Sequence, residues 1–360
     1  MIPVTKSYEP HIEDYFEFVQ NIFESGWYTN RGNHVKLLEK SILNKLSIDD
    51  SQIVCMNNGT TPLQIALKLL GKGGDIITTP FSYVATTSSI VWENCTPIFV
   101  DIHPEYLTID ERKIESAITS NTTCILATHV FGNPCNVEEI EQIAKKHNLS
   151  VIYDAAHCFG VKYKGKSIFE YGNVSTCSFH ATKLFHSGEG GAAFCNNKEL
   201  FHKIFYSHNF GHFGNEDFYG LGINGKMSEF HAALGLTVLK DIDQIISSRK
   251  ESVEIYQRKL NLAKISLLKI RNHSEWNYGY FPVIFESEST LKKTQKELNK
   301  RNIFPRRYFY PSLSNLPYIE TDRDLNIAED ISRRILCLPL YYQMKRSDIY
   351  TICEIINSNL

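Results

Sequence analysis

The stretch SFHATKLFHSGEGG, residues 178–191, decides how the rest of this chain is interpreted. Its single lysine, Lys183, follows the β-like run VSTCSF and precedes a Gly-Glu-Gly-Gly turn, which lets backbone lie close to whatever the lysine holds. A lysine amine becomes a useful nucleophile when burial or a neighbouring cation lowers its pKa, and its best-known use is a Schiff base with a carbonyl compound. An isolated lysine is most often a solvated surface residue. Small, aromatic and hydroxyl-bearing neighbours are poor surroundings for such a residue, so the stretch indicates a reactive lysine.

Pyridoxal phosphate (PLP) is the commonest carbonyl partner of such a lysine, and the hydroxyl of Ser178 could bind its phosphate. Asp154 ends the apolar run SVIYD, where a buried carboxylate is costly unless a cation or several donors face it. A protonated pyridine nitrogen meets that need, because PLP enzymes pair an aspartate with this nitrogen to keep the ring an electron sink. His157 follows closely and could reach the ring hydroxyl.

A metal site is the alternative explanation for the histidines of this region. His157 could act with His180 or His186, and His208 and His212 have the i, i+4 spacing of one helix face. Neither an H-E-x-x-H motif nor a carboxylate triad accompanies them, and the second pair brackets a glycine in a loop-like stretch. The sequence therefore favours the PLP interpretation and predicts no metal.

Composition sets outer limits on function. The chain has 360 residues, 42% of them hydrophobic and 22% charged, which is ordinary for a two-domain globular protein. A formal net charge of -2 provides no field that would attract nucleic acid or an anionic membrane, so we expect neither partner. The nine cysteines are scattered without a C-x-x-C pair, and neither a signal sequence nor a membrane-length apolar run is evident. These features predict a reduced, cytoplasmic protein.

Strand-like and helix-like runs alternate from residue 52 onward. The strand-like runs are QIVCMNN, DIITTP, TPIFVDI, CILATHV and SVIYDAA. Short apolar strands alternating with helices predict an α/β domain with a mostly parallel sheet, and ligands bind such sheets at the carboxyl edge. The segment 227–260 has one long helical pattern, and the remainder alternates strand-like and helix-like runs. We therefore predict a large domain over residues 1–250, including an N-terminal helical lead-in, and a small α+β domain over residues 251–360.

Two further segments lie at predicted strand ends. Gly59 and Thr60 precede a proline at the predicted start of a helix, where backbone amides and the helix dipole suit a phosphate. Plain N-capping explains the same residues, and neither the dinucleotide-binding nor the ATP-binding glycine motif is present. Tyr83 lies just past the next strand and could stack on a planar ring, although a lone tyrosine is more often a core residue.

Together these residues resemble the DegT/DnrJ/EryC1/StrS family of PLP-dependent sugar aminotransferases. The resemblance covers nearly the whole chain and is carried by SGWYTNRG, NNGTTPLQIAL, TTPFSYVATTSSI, PIFVDI, THVFGNPC, YDAAHCFG, SFHATKLFHSGEGG and GINGKMSEFHAALGL. It implies the aspartate-aminotransferase fold, also called fold type I. By the same resemblance, Lys183 binds the cofactor covalently, Asp154 contacts the pyridine nitrogen and Tyr83 stacks on the ring. His157 stands where members often have glutamine, so the resemblance supports its contact with the ring hydroxyl less directly.

The resemblance also implies a phosphate cup and a dimer. Gly59, Thr60 and Ser178 fall on the cup of the same subunit, and Asn224 corresponds to an asparagine that the neighbouring subunit contributes. The active unit is therefore expected to be a homodimer. Relatives that dehydrate sugars replace the lysine by histidine, and the intact Lys183 favours transamination.

The expected substrates are L-glutamate, as amino donor, and a nucleotide-linked ketosugar. Several segments look most like members that convert dTDP-4-dehydro-6-deoxyglucose to dTDP-4-amino-4,6-dideoxyglucose for O-antigen or other surface glycans. The alternatives are a 3-ketosugar, a UDP- or GDP-linked 4-ketosugar, or a PLP-binding regulatory protein without turnover. The aromatic and basic segment IFPRRYFYPSLSNLPYI could cover the diphosphate, with Arg306, Arg307 and Tyr310 as candidate contacts and Arg307 preferred. A plain surface loop explains that segment equally well.

Overall fold

A computed structural model describes residues 1–49 and 52–360. Within these residues the main sheet has seven strands, whose spatial order is Gln52–Met56, Gly191–Cys195, Val174–Ser178, Ser150–Asp154, Thr122–Thr128, Asp75–Thr78 and Thr96–Phe99. The strand Gly191–Cys195 is antiparallel to both neighbours, and the pairings among the five strands from Val174–Ser178 to Thr96–Phe99 are parallel. The predicted α/β architecture with a mostly parallel sheet is confirmed.

Helices cover the sheet and form the rest of the framework. The α-helices are Ile12–Ser25, Asn33–Leu46, Thr60–Leu70, Val84–Trp92, Glu111–Ile114, Val137–His147, Lys198–Ser207, Glu229–Lys240, Ile242–Lys259, Glu288–Lys300, Asn326–Arg334 and Arg346–Asn357. One-turn 3-10 segments occur at Glu115–Ala117, Val130–Gly132, Ile168–Glu170 and Leu313–Asn315. The central strands are buried on both faces, which explains why their sequences are continuously apolar instead of alternating.

Shorter strands make smaller sheets at the periphery. Ile265–Leu267, Pro282–Phe285 and Ile335–Cys337 form an antiparallel sheet, Ser274–Glu275 joins Lys162–Tyr163 and Lys166–Ser167, Ile2–Pro3 pairs with Ile303–Phe304, and His212–Phe213 pairs with Asp217–Phe218. The first of these sheets and three helices enclose a second hydrophobic core that includes Tyr256, Phe285 and Ile352. A further buried cluster joins Phe81 and Phe131 of the large sheet's loops to Phe309. The C-terminal segment thus packs directly over the carboxyl edge of the main sheet.

The predicted long helix over 227–260 is two helices, Glu229–Lys240 and Ile242–Lys259. Asp241 separates them with a non-helical backbone, and its carboxylate accepts a hydrogen bond from the Tyr8 hydroxyl at 2.8 Å. The break at Asp241 is therefore stabilised by a residue near the N-terminus. The local helical pattern of the sequence does not reveal this distant contact. The domain boundary that we predict near Lys250 falls inside the second helix, and that division stays a prediction.

The N-terminal helix Ile12–Ser25 is followed by Gly26 at its C-cap, whose φ of 63° lies in the left-handed region that favours glycine. Its apolar stripe faces outward in the single chain, because Ile12, Phe16 and Phe23 are each more than half exposed. Among the described residues, no helix is both long and apolar enough to cross a membrane.

Candidate active site

A cavity of about 330 Å³ lies at the carboxyl edge of the main sheet, beneath the C-terminal segment. Its lining includes Asn58, Gly59, Thr60, Ser82, Tyr83, Thr128, Asp154, His157, Ser178, His180, Lys183, Glu189, Tyr280, Arg306, Tyr308 and Phe309. The structure therefore brings together seven residues of the predicted cofactor site, which are Gly59, Thr60, Tyr83, Asp154, His157, Ser178 and Lys183. They come from loops far apart in sequence and meet here because parallel strands end at one edge.

Lys183 lies on the loop between the strands Val174–Ser178 and Gly191–Cys195. The loop is held shut by hydrogen bonds from the amide of Phe179 to the carbonyl of Gly190 and from the amide of Ala181 to the carbonyl of Gly188, both 2.8 Å. The Lys183 side chain is half-buried, and its Nζ donates to the hydroxyl of Tyr280 at 3.2 Å. No carboxylate forms an ion pair with Lys183 among residues 1–49 and 52–360. The amine is thus directed into the cavity and is not engaged in a salt bridge there.

Asp154 ends the buried strand Ser150–Asp154 and is 5% exposed. Its Oδ2 accepts a hydrogen bond from the Thr86 hydroxyl at 2.7 Å, and its Oδ1 accepts one from the amide of Ala156 at 3.1 Å. Within the described part of the chain, no cationic side chain pairs with this carboxylate. A buried carboxylate facing a cavity without a cation is a suitable partner for a protonated pyridine nitrogen.

A chain of buried hydroxyls supports Asp154. The Ser82 hydroxyl lies 2.7 Å from the Thr86 hydroxyl and 3.0 Å from the Thr128 hydroxyl, and all three side chains are buried. Sequence reasoning missed Thr86 and Thr128 as members of the site. The available signal was that both lie near predicted strand ends, Thr86 three residues after Tyr83 on the helix Val84–Trp92.

His157 is buried, and its ring is parallel to that of Phe309 with centroids 5.9 Å apart. Its Nδ1 accepts a hydrogen bond from the amide of Phe131 at 3.0 Å, so this nitrogen carries no proton. Burial, together with the charge of Lys183, lowers the pKa of His157 well below its usual value. The ring is therefore neutral near pH 7 with its proton on Nε2, which makes Nε2 a hydrogen-bond donor.

The residues of the predicted phosphate cup show features of both helix capping and anion binding. The Asn58 side chain accepts hydrogen bonds from the amides of Thr60 and Thr61 at 2.8 and 2.9 Å, so part of this helix start is capped, as the plain alternative required. The hydroxyls of Thr60 and Ser178 line the cavity. A Cβ added at Gly59 would lie 2.6 Å from the Cβ of Ser178, so the close approach of these two residues requires glycine. The hydroxyl-bearing residues Thr60 and Ser178 beside a helix start are suitable groups for binding an anion such as a phosphate.

Tyr83 is the N-cap residue of the helix Val84–Trp92 and lies on the cavity wall. Its side chain is 53% exposed, so it is not a core tyrosine and its ring face is accessible to a planar ligand.

Of the three candidate substrate contacts, Arg306, Arg307 and Tyr310, the structure places one at the cavity and two outside it. Arg306 lines the cavity, and its guanidinium lies 4.7 Å from the ring centre of Tyr308. The guanidinium of Arg307 donates instead to the Glu288 carboxylate at 3.0 Å and to the carbonyl of Arg333 at 2.8 Å. Tyr310 stacks on Arg307 at 3.6 Å, and neither residue is part of the cavity lining. Adjacent residues of an extended segment point to opposite sides, so the structure brings Arg306 to the cavity and not the preferred Arg307.

Asn224 is exposed and is not part of its own chain's cavity lining. Its Oδ1 accepts a hydrogen bond from the Lys226 ammonium at 2.9 Å. The segment around it carries further exposed apolar side chains, namely Phe210, Phe213, Phe218, Tyr219, Leu221 and Ile223.

Of the histidines considered for a metal site, His157 and His180 both line the cavity, whereas the other three have different surroundings. His186 bonds to the carbonyl of Tyr8 at 2.9 Å, His208 is buried against the carbonyl of Phe205, and His212 lies on a short hairpin strand. In the ranges 1–49 and 52–360, no group of three or more histidine, cysteine, aspartate or glutamate side chains could hold a metal ion. The residues at the cavity fit PLP, because a buried carboxylate, a lysine amine outside any salt bridge of the described residues, and the hydroxyl-bearing Thr60 and Ser178 occur together.

Comparison with known proteins identifies the family. Residues 11–357 match the DegT/DnrJ/EryC1/StrS aminotransferase family. A dTDP-4-amino-4,6-dideoxy-D-glucose transaminase of Shigella dysenteriae is 40% identical over 352 residues, covering 96% of this chain and 95% of that protein. An Escherichia coli protein of the same name is 37% identical over 369 residues, covering 99% and 98%. The crystal structure of DesI with its TDP-sugar product has a TM-score of 0.94 at 26% identity, covering 99% of this chain and 92% of DesI.

These findings confirm the predicted fold type, the enzyme class and the cofactor. The match spans nearly the whole chain and includes every strand of the main sheet that forms the cavity. The protein belongs to the DegT/DnrJ/EryC1/StrS family of PLP-dependent sugar aminotransferases.

Proposed function

We propose that this enzyme transfers an amino group from L-glutamate to carbon 4 of dTDP-4-dehydro-6-deoxyglucose, giving dTDP-4-amino-4,6-dideoxyglucose. The observation that carries the proposal is the convergence of the Lys183 amine and the buried Asp154 carboxylate on one cavity. Two relatives at 40% and 37% identity are named as transaminases of this sugar. The expected 3-ketosugar and UDP- or GDP-linked substrates remain the alternatives that an assay must exclude.

The proposal assigns separate roles to the main residues of the cavity. PLP, when bound, supplies a carbonyl carbon for the amino group and an electron sink. Asp154 holds the pyridine nitrogen in its protonated form, and Thr86 and Ala156 hold the carboxylate in place. The amine of Lys183 first holds the cofactor and then moves a proton to and from the reacting carbons as a general base and acid.

The remaining cavity residues orient the cofactor. His157 donates from Nε2 towards the ring hydroxyl, since its Nδ1 already accepts the amide of Phe131. Tyr83 stacks on the ring. Gly59, Thr60 and Ser178 surround the phosphate, which is the role that their place on the cavity wall supports. These assignments follow the residue pattern and its geometry.

Arg306 is the proposed contact for the diphosphate of the sugar nucleotide. A protein with a formal net charge of -2 cannot attract such an anion by its overall field, so local cations are required. Arg306 is exposed, lines the cavity and forms no ion pair within the described residues, so its guanidinium is available for phosphate oxygens. Arg307 and Tyr310 are then structural residues of the loop: Arg307 contacts Glu288, and Tyr310 stacks on Arg307.

The proposed active unit is a homodimer in which Asn224 contacts the cofactor phosphate of the partner subunit. Its support is that Asn224 is exposed and lies outside its own chain's cavity, beside an exposed apolar segment. The outward-facing apolar stripe of the helix Ile12–Ser25 supplies a second surface for the partner.

We propose a cytoplasmic enzyme that supplies an amino sugar for O-antigen, lipopolysaccharide or another surface glycan. All nine cysteines are free and buried, which suits a reducing compartment. The assignment to these glycans depends on the proposed amino-sugar product.

A substrate panel tests the proposal. Purified protein supplied with PLP and L-glutamate would be incubated with dTDP-4-dehydro-6-deoxyglucose, a dTDP-3-ketosugar, and the UDP- and GDP-linked 4-ketosugars, each over the same range of concentrations. We expect the highest kcat/KM with dTDP-4-dehydro-6-deoxyglucose and formation of one 2-oxoglutarate for each amino sugar. A preference for the 3-ketosugar or for another nucleotide would overturn the substrate assignment. Covalent PLP binding without amine transfer to any of them would favour the regulatory alternative.

A further inference from the structure

Tyr280 is the side chain that contacts the Lys183 amine. Its hydroxyl oxygen lies 3.2 Å from Nζ of Lys183, and no other hydrogen bond of this amine occurs in the described part of the chain. The two residues are 97 positions apart. Lys183 is delivered by the main sheet, whereas Tyr280 precedes the strand Pro282–Phe285 of the smaller antiparallel sheet. The amine of the large sheet is thus held by a residue that leads into the smaller sheet and packs against the cluster of Phe81, Phe131 and Phe309.

The ring of Tyr280 is fixed on several sides. Its centroid lies 4.5 Å from that of His157, 5.8 Å from that of Phe131 and 5.8 Å from that of Tyr308. The hydroxyl therefore has a defined position at the cavity wall instead of sampling solvent.

The backbone that carries Tyr280 is also fixed. The buried guanidinium of Arg249 donates to the carbonyls of Gly279 and Leu340, both at 3.1 Å, and the amide of Gly279 donates to the Asn277 side chain at 3.0 Å. The Asn277 amide in turn donates to the carbonyl of His157 at 2.8 Å. Tyr280 is thus tied through its main chain to the loop that carries His157.

We propose that Tyr280 is a positioning residue for the Lys183 amine. By accepting one N–H of the amine, the hydroxyl fixes rotation about the Cε–Nζ bond, so that the nitrogen lone pair points to the carbon or proton with which it reacts. The inference deepens the proposed function and rests on it, because it assigns a partner to the amine that captures the cofactor and moves the proton. Capture itself joins the amine nitrogen to the aldehyde carbon of PLP through a carbon–nitrogen double bond, and one water leaves.

Capture of added PLP by the cofactor-free protein provides a test that does not depend on turnover. The rate of appearance of the visible absorbance band would be measured against PLP concentration for the natural protein and for Tyr280→Phe. Borohydride trapping and peptide mass would verify that the linkage is at Lys183. We expect Tyr280→Phe to lower the maximal capture rate about threefold to tenfold, the range of one neutral hydrogen bond. The half-saturating PLP concentration should stay unchanged, because the hydrogen-bond and ring contacts of Tyr280 are with Lys183, His157, Phe131 and Tyr308 and not with the phosphate-cup residues.

Tyr278→Phe is the matched control, since Tyr278 is two positions away, lies outside the cavity and packs against Trp276. This variant should capture PLP at the natural rate. An unchanged maximal rate in Tyr280→Phe, or an equal loss in Tyr278→Phe, would overturn the inference. A change in the half-saturating concentration alone would also overturn it, because that pattern marks cofactor binding and not amine positioning.

The two proposals fail separately in this design. If the natural protein aminates none of the sugar nucleotides while Tyr280→Phe still slows capture, the substrate proposal fails and the positioning role stands. If the natural protein aminates the predicted sugar while Tyr280→Phe captures PLP at the natural rate, the positioning role fails alone.

Discussion

The hydroxyl of Thr86 donates a 2.7 Å hydrogen bond to Oδ2 of the buried Asp154 carboxylate. Thr86 also lies 2.7 Å from the Ser82 hydroxyl, so the carboxylate is the end of a buried polar chain. A charged acceptor in a buried site is stabilised by each donor that faces it. The contact fixes the carboxylate at the cavity wall, where we propose that it faces the pyridine nitrogen of the cofactor.

Thr86→Val should therefore weaken catalysis through Asp154 while keeping the side-chain shape. A hydrogen bond to a charged group contributes about 1.5–3 kcal/mol, so we expect kcat/KM to fall about tenfold or more. Thr86→Ser keeps the hydroxyl and should retain most of the activity. Steady-state kinetics of the two variants provide the comparison, and an equal loss in Thr86→Ser, which keeps the hydroxyl, would contradict a role that depends on the hydroxyl alone.

Arg306→Ala should slow the half-reaction with the sugar nucleotide and leave the half-reaction with L-glutamate nearly unchanged. The reason is that its guanidinium lines the cavity and is free to bind phosphate oxygens. Losing one charged hydrogen bond corresponds to about 1–3 kcal/mol in the sugar half-reaction. Single-turnover absorbance measurements follow the two halves separately.

Arg307→Ala is the matched control, because Arg307 contacts Glu288 outside the cavity. It should lower the melting temperature through loss of the contacts with Glu288 and Arg333, with little effect on either half-reaction. If Arg307→Ala affects the sugar half-reaction more than Arg306→Ala, the diphosphate is held on the other side of the loop. If the glutamate half-reaction alone is slowed in Arg306→Ala, the loop recognises the donor's carboxylate.

The strand ends of the site were predictable from the sequence, whereas contacts across the fold were not. Asp154, Ser178 and Gly59 follow short apolar runs, and parallel strands bring such ends together. Tyr280 carries no local signal, because its role depends on how the C-terminal segment packs over the carboxyl edge of the main sheet, through the cluster of Phe81, Phe131 and Phe309. The choice between Arg306 and Arg307 depends on which of two adjacent side chains in an extended segment points to the cavity, and residue type alone does not determine this.

Subunit mixing tests the proposed contribution of Asn224 to the partner's site. Asn224→Ala and Lys183→Ala proteins should each have little activity, whereas a heterodimer of the two carries both lesions in one site and none in the other. Random exchange makes half of the dimers heterodimers with one intact site of two, so activity should rise to about a quarter of the natural value. Differently tagged subunits would verify exchange. Verified exchange without recovered activity would contradict the shared site.

The protein should lose stability in mild acid, because it contains histidines that are buried in their neutral form. Burial lowers the pKa of His208 to about 4 and that of His129 to about 3. In the unfolded chain each binds a proton as the pH falls below about 6.5, whereas the folded protein does not, so protons favour unfolding. Above pH 6.5 neither group lowers the free energy of unfolding. Between pH 6.5 and its pKa in the folded protein, each group lowers that free energy by about 1.4 kcal/mol for every pH unit.

Urea unfolding at pH 7, 6 and 5 would measure this dependence, with His129→Gln as the comparison. A glutamine side chain cannot take up the proton, so the variant should be less stable at pH 7 but lose less stability per pH unit. The same slope in both proteins would mean that His129 is charged in the folded state or does not contribute.

The most direct test of the central claim is transfer of nitrogen from ¹⁵N-labelled L-glutamate to dTDP-4-dehydro-6-deoxyglucose by the purified enzyme, with Lys183→Ala as the control. We expect NMR of the product to show ¹⁵N on carbon 4 of the sugar, with one 2-oxoglutarate formed per amino sugar and no transfer by the variant. Label on carbon 3, transfer by Lys183→Ala, or no labelled sugar from a PLP-loaded enzyme would contradict the account.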